Sequence, residues 1–134
     1  MGTDAHGPTY APQHGFTCTP TTADAATLLA QLRRGQTYLS RGTNLDLSVV
    51  AADGDAPLGS VRRAGRWRAK LCWQGLPEGA TLHCIADGGR EILDLESHGE
   101  HEYAANIGAW LNFEIRLGDG TLHTLTNPVF ARLA

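Results

Sequence analysis

From about Leu45 onward the chain alternates apolar and polar residues with a period of two. Leu45, Leu47 and Val49 alternate with Asp46 and Ser48, and Trp67, Ala69, Leu71 and Trp73 with Arg68, Lys70, Cys72 and Gln74. Leu82, Cys84 and Ala86 alternate with His83 and Ile85, Leu93 and Leu95 with Asp94, and Leu111, Phe113, Ile115 and Leu117 with Asn112, Glu114 and Arg116. Successive strand side chains point to opposite faces, so each run predicts a half-buried strand. Turn signals separate the runs at Asp53-Gly54, Pro77-Glu78-Gly79, Asp87-Gly88-Gly89 and Asp119-Gly120. Short strands at this spacing predict an all-β fold, an immunoglobulin-like β-sandwich of about seven strands. The Cys–Trp–Cys signature of antibody domains is missing, so the expectation concerns architecture only.

The period changes near the start. Ala25, Leu28, Leu29 and Leu32 fall on one stripe at helical spacing. Thr21 followed by Asp24 fits an N-terminal capping pattern, Arg33 and Arg34 suit the negative helix end, and Gly35 suits a left-handed C-cap. These signals predict one short helix near residues 22–34 with a single buried face. Its leucine stripe either packs on the sandwich or stays partly exposed and favours self-association. Residues 1–20 lack periodicity and are rich in turn formers, which predicts an irregular N-terminal arm.

Composition narrows the function classes. With 134 residues, 42% of them hydrophobic, the chain has room for one core, and sixteen glycines agree with many turns. A net charge of −3 disfavours a nucleic-acid binder. The run Arg62, Arg63, Arg66, Arg68 and Lys70 reads as surface or interdomain contact, with Arg66, Arg68 and Lys70 on the outer face of one strand. No apolar run is long enough to span a bilayer. Three cysteines, Cys18, Cys72 and Cys84, form no CxxC pair. Cys72 and Cys84 fall in consecutive strands, so a bridge between them and two reduced thiols are both open readings. Reduced thiols agree with a cytoplasmic location.

Three further features carry candidate chemistry. The run Glu96-Ser97-His98-Gly99-Glu100-His101-Glu102 gathers two histidines and three carboxylates, and reads as a solvated loop or a local metal site. Trp67 and Trp73 share the apolar side of one strand and belong to the core. Trp110 has the parity of Asn112, Glu114 and Arg116, which sets it on a polar face as a candidate interdomain or ligand surface. No Ser-His-Asp arrangement, phosphate loop or nucleotide-binding glycine motif is present.

Both ends of the chain resemble one family. Gly2-Thr3-Asp4-Ala5-His6-Gly7 looks like the last metal-binding motif of PHP-type (polymerase and histidinol phosphatase) metal-dependent hydrolases, where it closes a distorted β/α barrel. The run Leu28-Leu29-Ala30-Gln31-Leu32-Arg33-Arg34-Gly35-Gln36-Thr37-Tyr38-Leu39-Ser40-Arg41-Gly42 is similar to the helix and strand leading out of that barrel, with Thr43 in place of proline. Leu125-Thr126-Asn127-Pro128-Val129-Phe130 is similar to the ending of a sandwich domain appended to bacterial members. The resemblance implies that residues 1–43 are the arm and helix ending a catalytic domain, and residues 44–134 its appended immunoglobulin-like sandwich. It implies that Asp4 and His6 are ligands of a Mn²⁺ or Zn²⁺ cluster in the intact parent. Such a cluster activates a bridging water toward a phosphoester or related ester. The family's early His-x-His motif and middle ligands are absent here, so no cluster and no turnover are expected of this chain alone. The expected role is accessory, with a missing N-terminal catalytic barrel as partner. The alternative is a free-standing carbohydrate- or protein-binding sandwich module.

Overall fold

Glycine and proline breaks cut the chain into short strands. The structure, a computed structural model describing residues 15–22 and 24–133, assembles them into two sheets. Around α1 (Ala25–Arg33) lie β1 (Phe16–Cys18) and β2 (Tyr38–Ser40). Then follow β3 (Asn44–Ala51), β4 (Gly54–Asp55), β5 (Val61–Arg63), β6 (Gly65–Gln74), β7 (Thr81–Ala86) and β8 (Gly89–Asp94). The last four are β9 (Gly99–Ile107), β10 (Trp110–Arg116), β11 (Leu122–Thr126) and β12 (Val129–Arg132). The strands outnumber the seven expected because short pieces such as β4 and β5 join the sheets beside the long strands.

One sheet runs β4-β3-β6-β9. In the other, β10 is central: β7 and then β8 lie on one side, and β11 and β12 on the other, followed outward by β2-β1 and β5. The order matches an immunoglobulin-like sandwich, with β3, β6 and β9 as one sheet and β7, β10 and β11–β12 as the other. Between them lies one core, built from Leu45, Trp67, Leu71 and Trp73 of the first sheet and Leu82, Cys84, Leu111, Phe113 and Ile115 of the second. Tyr103 meets Phe113 edge-on across the gap, with ring centroids 6.0 Å apart. Most of the alternating apolar residues read from the sequence are core residues, while Leu47, Ala86 and Leu93 pack against the core half-buried and Leu117 stays half-buried beyond it. Each buried Leu, Ile or Phe contributes about 1.5–3 kcal/mol.

Four details depart from the sequence reading. Asp24, not Thr21, caps α1: its carboxylate accepts from the Thr27 N–H at 2.7 Å. The C-terminal end follows expectation, with Gly35 at φ 69° and bonds from Gly35 N to Leu32 O and from Gln36 N to Gln31 O. The predicted buried face of the helix, however, is not covered by the described residues. No residue of α1 is buried, and Leu28, Leu29 and Leu32 are 37%, 50% and 43% exposed, because the helix meets the described sandwich through its other side and its C-terminal turn.

The third departure concerns residues 96–102: Gly99 to Glu102 are the start of β9, not loop. Composition hid this strand, since Glu, Ala and Asn are weak strand formers, and pairing to β6 over the full length of β9 supplies what propensity lacks. Fourth, part of the arm is ordered as strand. β1 pairs with β2, and β2 with β11, so residues before 44 are hydrogen-bonded into the sandwich's own sheet. Of the two readings open for Cys72 and Cys84, the unbridged one holds. They occupy different sheets, Cys72 on an outer face beside Glu100 and Cys84 in the core, and all three cysteines are free. Burial pushes the Cys84 thiol up to about 12, so it is a packing residue, not a nucleophile. No helix among the described residues is long and apolar enough to cross a membrane.

Candidate interaction surface

Strand parity sets the outer face of the larger sheet. On it, Val61 registers with Phe130 and Phe130 with Trp110, one apolar row across β5, β12 and β10. Val61 is 50% and Phe130 45% exposed, and Trp110 is half-buried. The sequence reading placed Trp110 on this face and missed its two neighbours. Their position depends on strand order, which no local pattern encodes.

A turn fixes the Trp110 end of β10. Asp87 and Gly88 both have positive φ, 51° and 84°, as a two-residue hairpin between β7 and β8 requires. The Asp87 carboxylate then accepts three backbone N–H bonds, from Gly108 and Ala109 at 2.7 Å each and from Trp110 at 2.9 Å. Slight burial pushes this carboxyl up, but the three N–H donors outweigh it and hold it below its ordinary value. One acid thereby ties two turns together and sets the backbone that carries Trp110.

Beside this row the face becomes polar. Asn112 has a buried side-chain oxygen without a partner among the described residues. Farther along β10, the Glu114 carboxylate accepts from Arg116 at 2.9 Å and from Arg90 at 3.4 Å. Arg90 also lies 2.8 Å from His83 Nδ1. A guanidinium only donates, so Nδ1 accepts, and Nε2–H donates to Thr81 Oγ1 at 2.9 Å. His83 is therefore neutral. Burial lowers its pKa first, with Arg90 adding to the effect. His123, buried against Thr43 and Thr124, is likewise lowered by burial and then by Arg41.

Both histidines give folding a definite pH sign. The unfolded chain takes up protons near the ordinary value of 6.5, while the folded chain resists. Stability is therefore complete above that value and declines as pH falls below it. Urea melts are expected to show a lower midpoint at pH ~5 than at pH ~7.5. The slope should flatten in His123→Asn, which cannot titrate, and equal midpoints at both pH values would contradict the assignment.

The remaining sequence candidates separate. Asp4 and His6 lie outside the described residues. In the 96–102 run, strand alternation sends Glu100 and Glu102 outward while His101 turns inward beside Leu71, and His98 is exposed. Among the described residues no group of three or more His, Cys, Asp or Glu side chains is placed to hold a metal ion. A cleft of about 640 Å³ lies between α1 and β3, lined by Gln31, Gln36, Tyr38, Asn44 and Asp46 among others. The Gln31 side-chain oxygen there has no partner among the described residues, and the Tyr38 hydroxyl accepts from Leu45 N at 3.3 Å. No family model matches this chain, and no curated protein matches it in sequence.

Proposed function

We propose that this chain is the accessory C-terminal sandwich of a PHP-type metal-dependent hydrolase, joined to the last segments of its catalytic barrel. One observation carries the reading. Two of the three stretches that resemble the family, 28–42 and 125–130, are direct neighbours in space. Asn127 donates to Gly35 O at 2.9 Å and to Thr37 Oγ1 at 2.8 Å, while Asn127 N donates to Thr37 O at 3.1 Å. The segment leaving the barrel is thus fastened to the sandwich's final strands by the Thr-Asn-Pro turn.

The uncovered leucine stripe of α1 supports the same reading. A helix at the end of a barrel packs its apolar side on the barrel, and Leu28, Leu29 and Leu32 are free for that contact. Trp110, in its row with Phe130 and Val61, is the second apolar surface available to the catalytic domain. In the intact parent Asp4 and His6 would complete a Mn²⁺ or Zn²⁺ cluster with ligands from the barrel, and that cluster would supply an activated water for phosphoester cleavage. The sandwich holds the last barrel segment in place. Free thiols fit a cytoplasmic setting.

The test is twofold. The encoding frame is expected to continue upstream for about 200 residues or more, with His-x-His near its start. The purified chain, given Mn²⁺ and an aryl phosphoester, is expected to show no hydrolysis above blank. An in-frame stop directly before Met1, or turnover with tightly held metal, would sink the proposal.

A further inference from the structure

β9 is the free edge of the four-stranded sheet. Among the described residues it pairs only with β6, in a register that runs unbroken from Gly99 to Ile107. Nine residues long, it contains no proline, lysine or bulge, three of the devices that keep an edge from accepting another strand, and its only acids, Glu100 and Glu102, lie at one end. Its inward side is unfinished. Tyr103 and Ala105 pack on the core yet stay half-buried, and His101 Nε2 has no partner among the described residues.

Charge on the outward side points to one occupant. Glu100, Glu102, Ala104 and Asn106 face out, registered with Cys72, Lys70, Arg68 and Arg66 of β6. Lys70 bonds Glu100 at 3.2 Å. Arg66, Arg68 and Glu102 are exposed and make no ion pair among the described residues. Acids therefore sit at one end of the edge, and unpaired arginines stand behind small or neutral residues at the other.

We propose that a second copy of this chain adds its β9 to this edge, antiparallel and centred on Tyr103, joining the two four-stranded sheets into one. In this register Glu102 of one copy lies opposite Ala104 of the other, in line with Arg68 behind it. Glu100 lies opposite Asn106, in line with Arg66. Each copy's acids thus meet the other's arginines, in two symmetric pairs of rows. A shift of one pair toward Gly99 would set Glu102 against itself, and like charges directly opposed in a ladder are destabilising. The full-overlap register escapes this and forms the most hydrogen bonds. It is an isologous contact of the kind two-fold dimers use. The inference does not depend on the hydrolase reading.

Sedimentation velocity on the 134-residue chain, from ~10 μM to ~1 mM, tests it. A monomer–dimer equilibrium is expected, weakening as salt rises. Ala104→Glu places an acid opposite Glu102 of the second copy and should raise the dimer Kd at least ~10-fold. Ala104→Lys, at the same exposed position, should leave the dimer intact or tighten it. Arg68→Glu and Glu102→Arg should each weaken the dimer, and together restore it. Circular dichroism melts confirm that each variant is folded. A monomer throughout the range overturns the proposal. So does a dimer indifferent to Ala104→Glu but dissolved by Leu29→Glu, which would move the contact to the helix.

Discussion

Replacing Trp67 with alanine is expected to cost about 3–5 kcal/mol of folding stability. The indole is 1% exposed and sits in the middle strand of its sheet, with β3 on one side and β9 on the other. Truncation removes its contacts with both sheets, leaves a cavity too walled-in to collapse fully, and strips Arg63 O of the Nε1–H bond made at 2.9 Å. Small domains have only about 5–15 kcal/mol in total, so the variant should approach the unfolding threshold at room temperature. Trp67→Phe separates the two losses. It keeps most of the packing and gives up the hydrogen bond, so it should cost about 1–2 kcal/mol. Urea denaturation measures both. A loss below about 1 kcal/mol for the alanine variant would mean that the two sheets do not close on this residue.

Gly59→Ala is expected to break the junction between the helix segment and the sandwich. Gly59 has φ +78°, and a Cβ there would lie 2.1 Å from Arg34 O and 2.8 Å from Gly35 O. Both obstacles are backbone at the C-terminal end of α1, where Arg34 N and Gly35 N already bond to Ala30 O and Leu32 O. Neither can swing aside as a long side chain would. On the other flank Gly59 N donates to Pro128 O at 3.0 Å, so the loop cannot retreat without losing that bond. Left-handed strain and the clash together should cost about 3 kcal/mol or more, unless α1 detaches. Detachment has its own signature, rapid tryptic cleavage after Arg33 or Arg34 while the sandwich stays folded. A variant as stable and as protease-resistant as the parent would show that α1 does not rest on this loop.

How much of this was legible in the sequence varies by element. The strands containing Trp67, Ala69, Leu71 and Trp73, or Leu111, Phe113 and Ile115, announce themselves because one face is buried and the other is wet, so alternation survives in the composition. β7 blurs the pattern. His83 and Ile85 are buried as well as Leu82 and Cys84, since its outer face is covered by neighbouring side chains such as Arg90. β9 was unreadable: as an edge strand it buries little, so Glu, Ala and Asn are tolerated. The helix was readable as a helix but not in its surroundings. The same leucine stripe that predicts burial lies exposed in this chain, because a periodic pattern says which face is apolar and never what covers it.

The candidate surface was legible only at Trp110. Phe130 and Val61 join it through strand pairing far along the chain, and Asn127 reaches Gly35 and Thr37 across a sequence gap of about ninety residues. By itself the sequence determined the periodicities, the turns at Asp87-Gly88 and Gly35, and which side chains would face a core, all of which are local consequences of backbone geometry. Tertiary structure alone decided which strands became neighbours, which edge stayed open at β9, and that the helix segment would be clasped by the Thr-Asn-Pro turn. Those outcomes depend on how distant segments share one limited volume, and no window of residues contains that information.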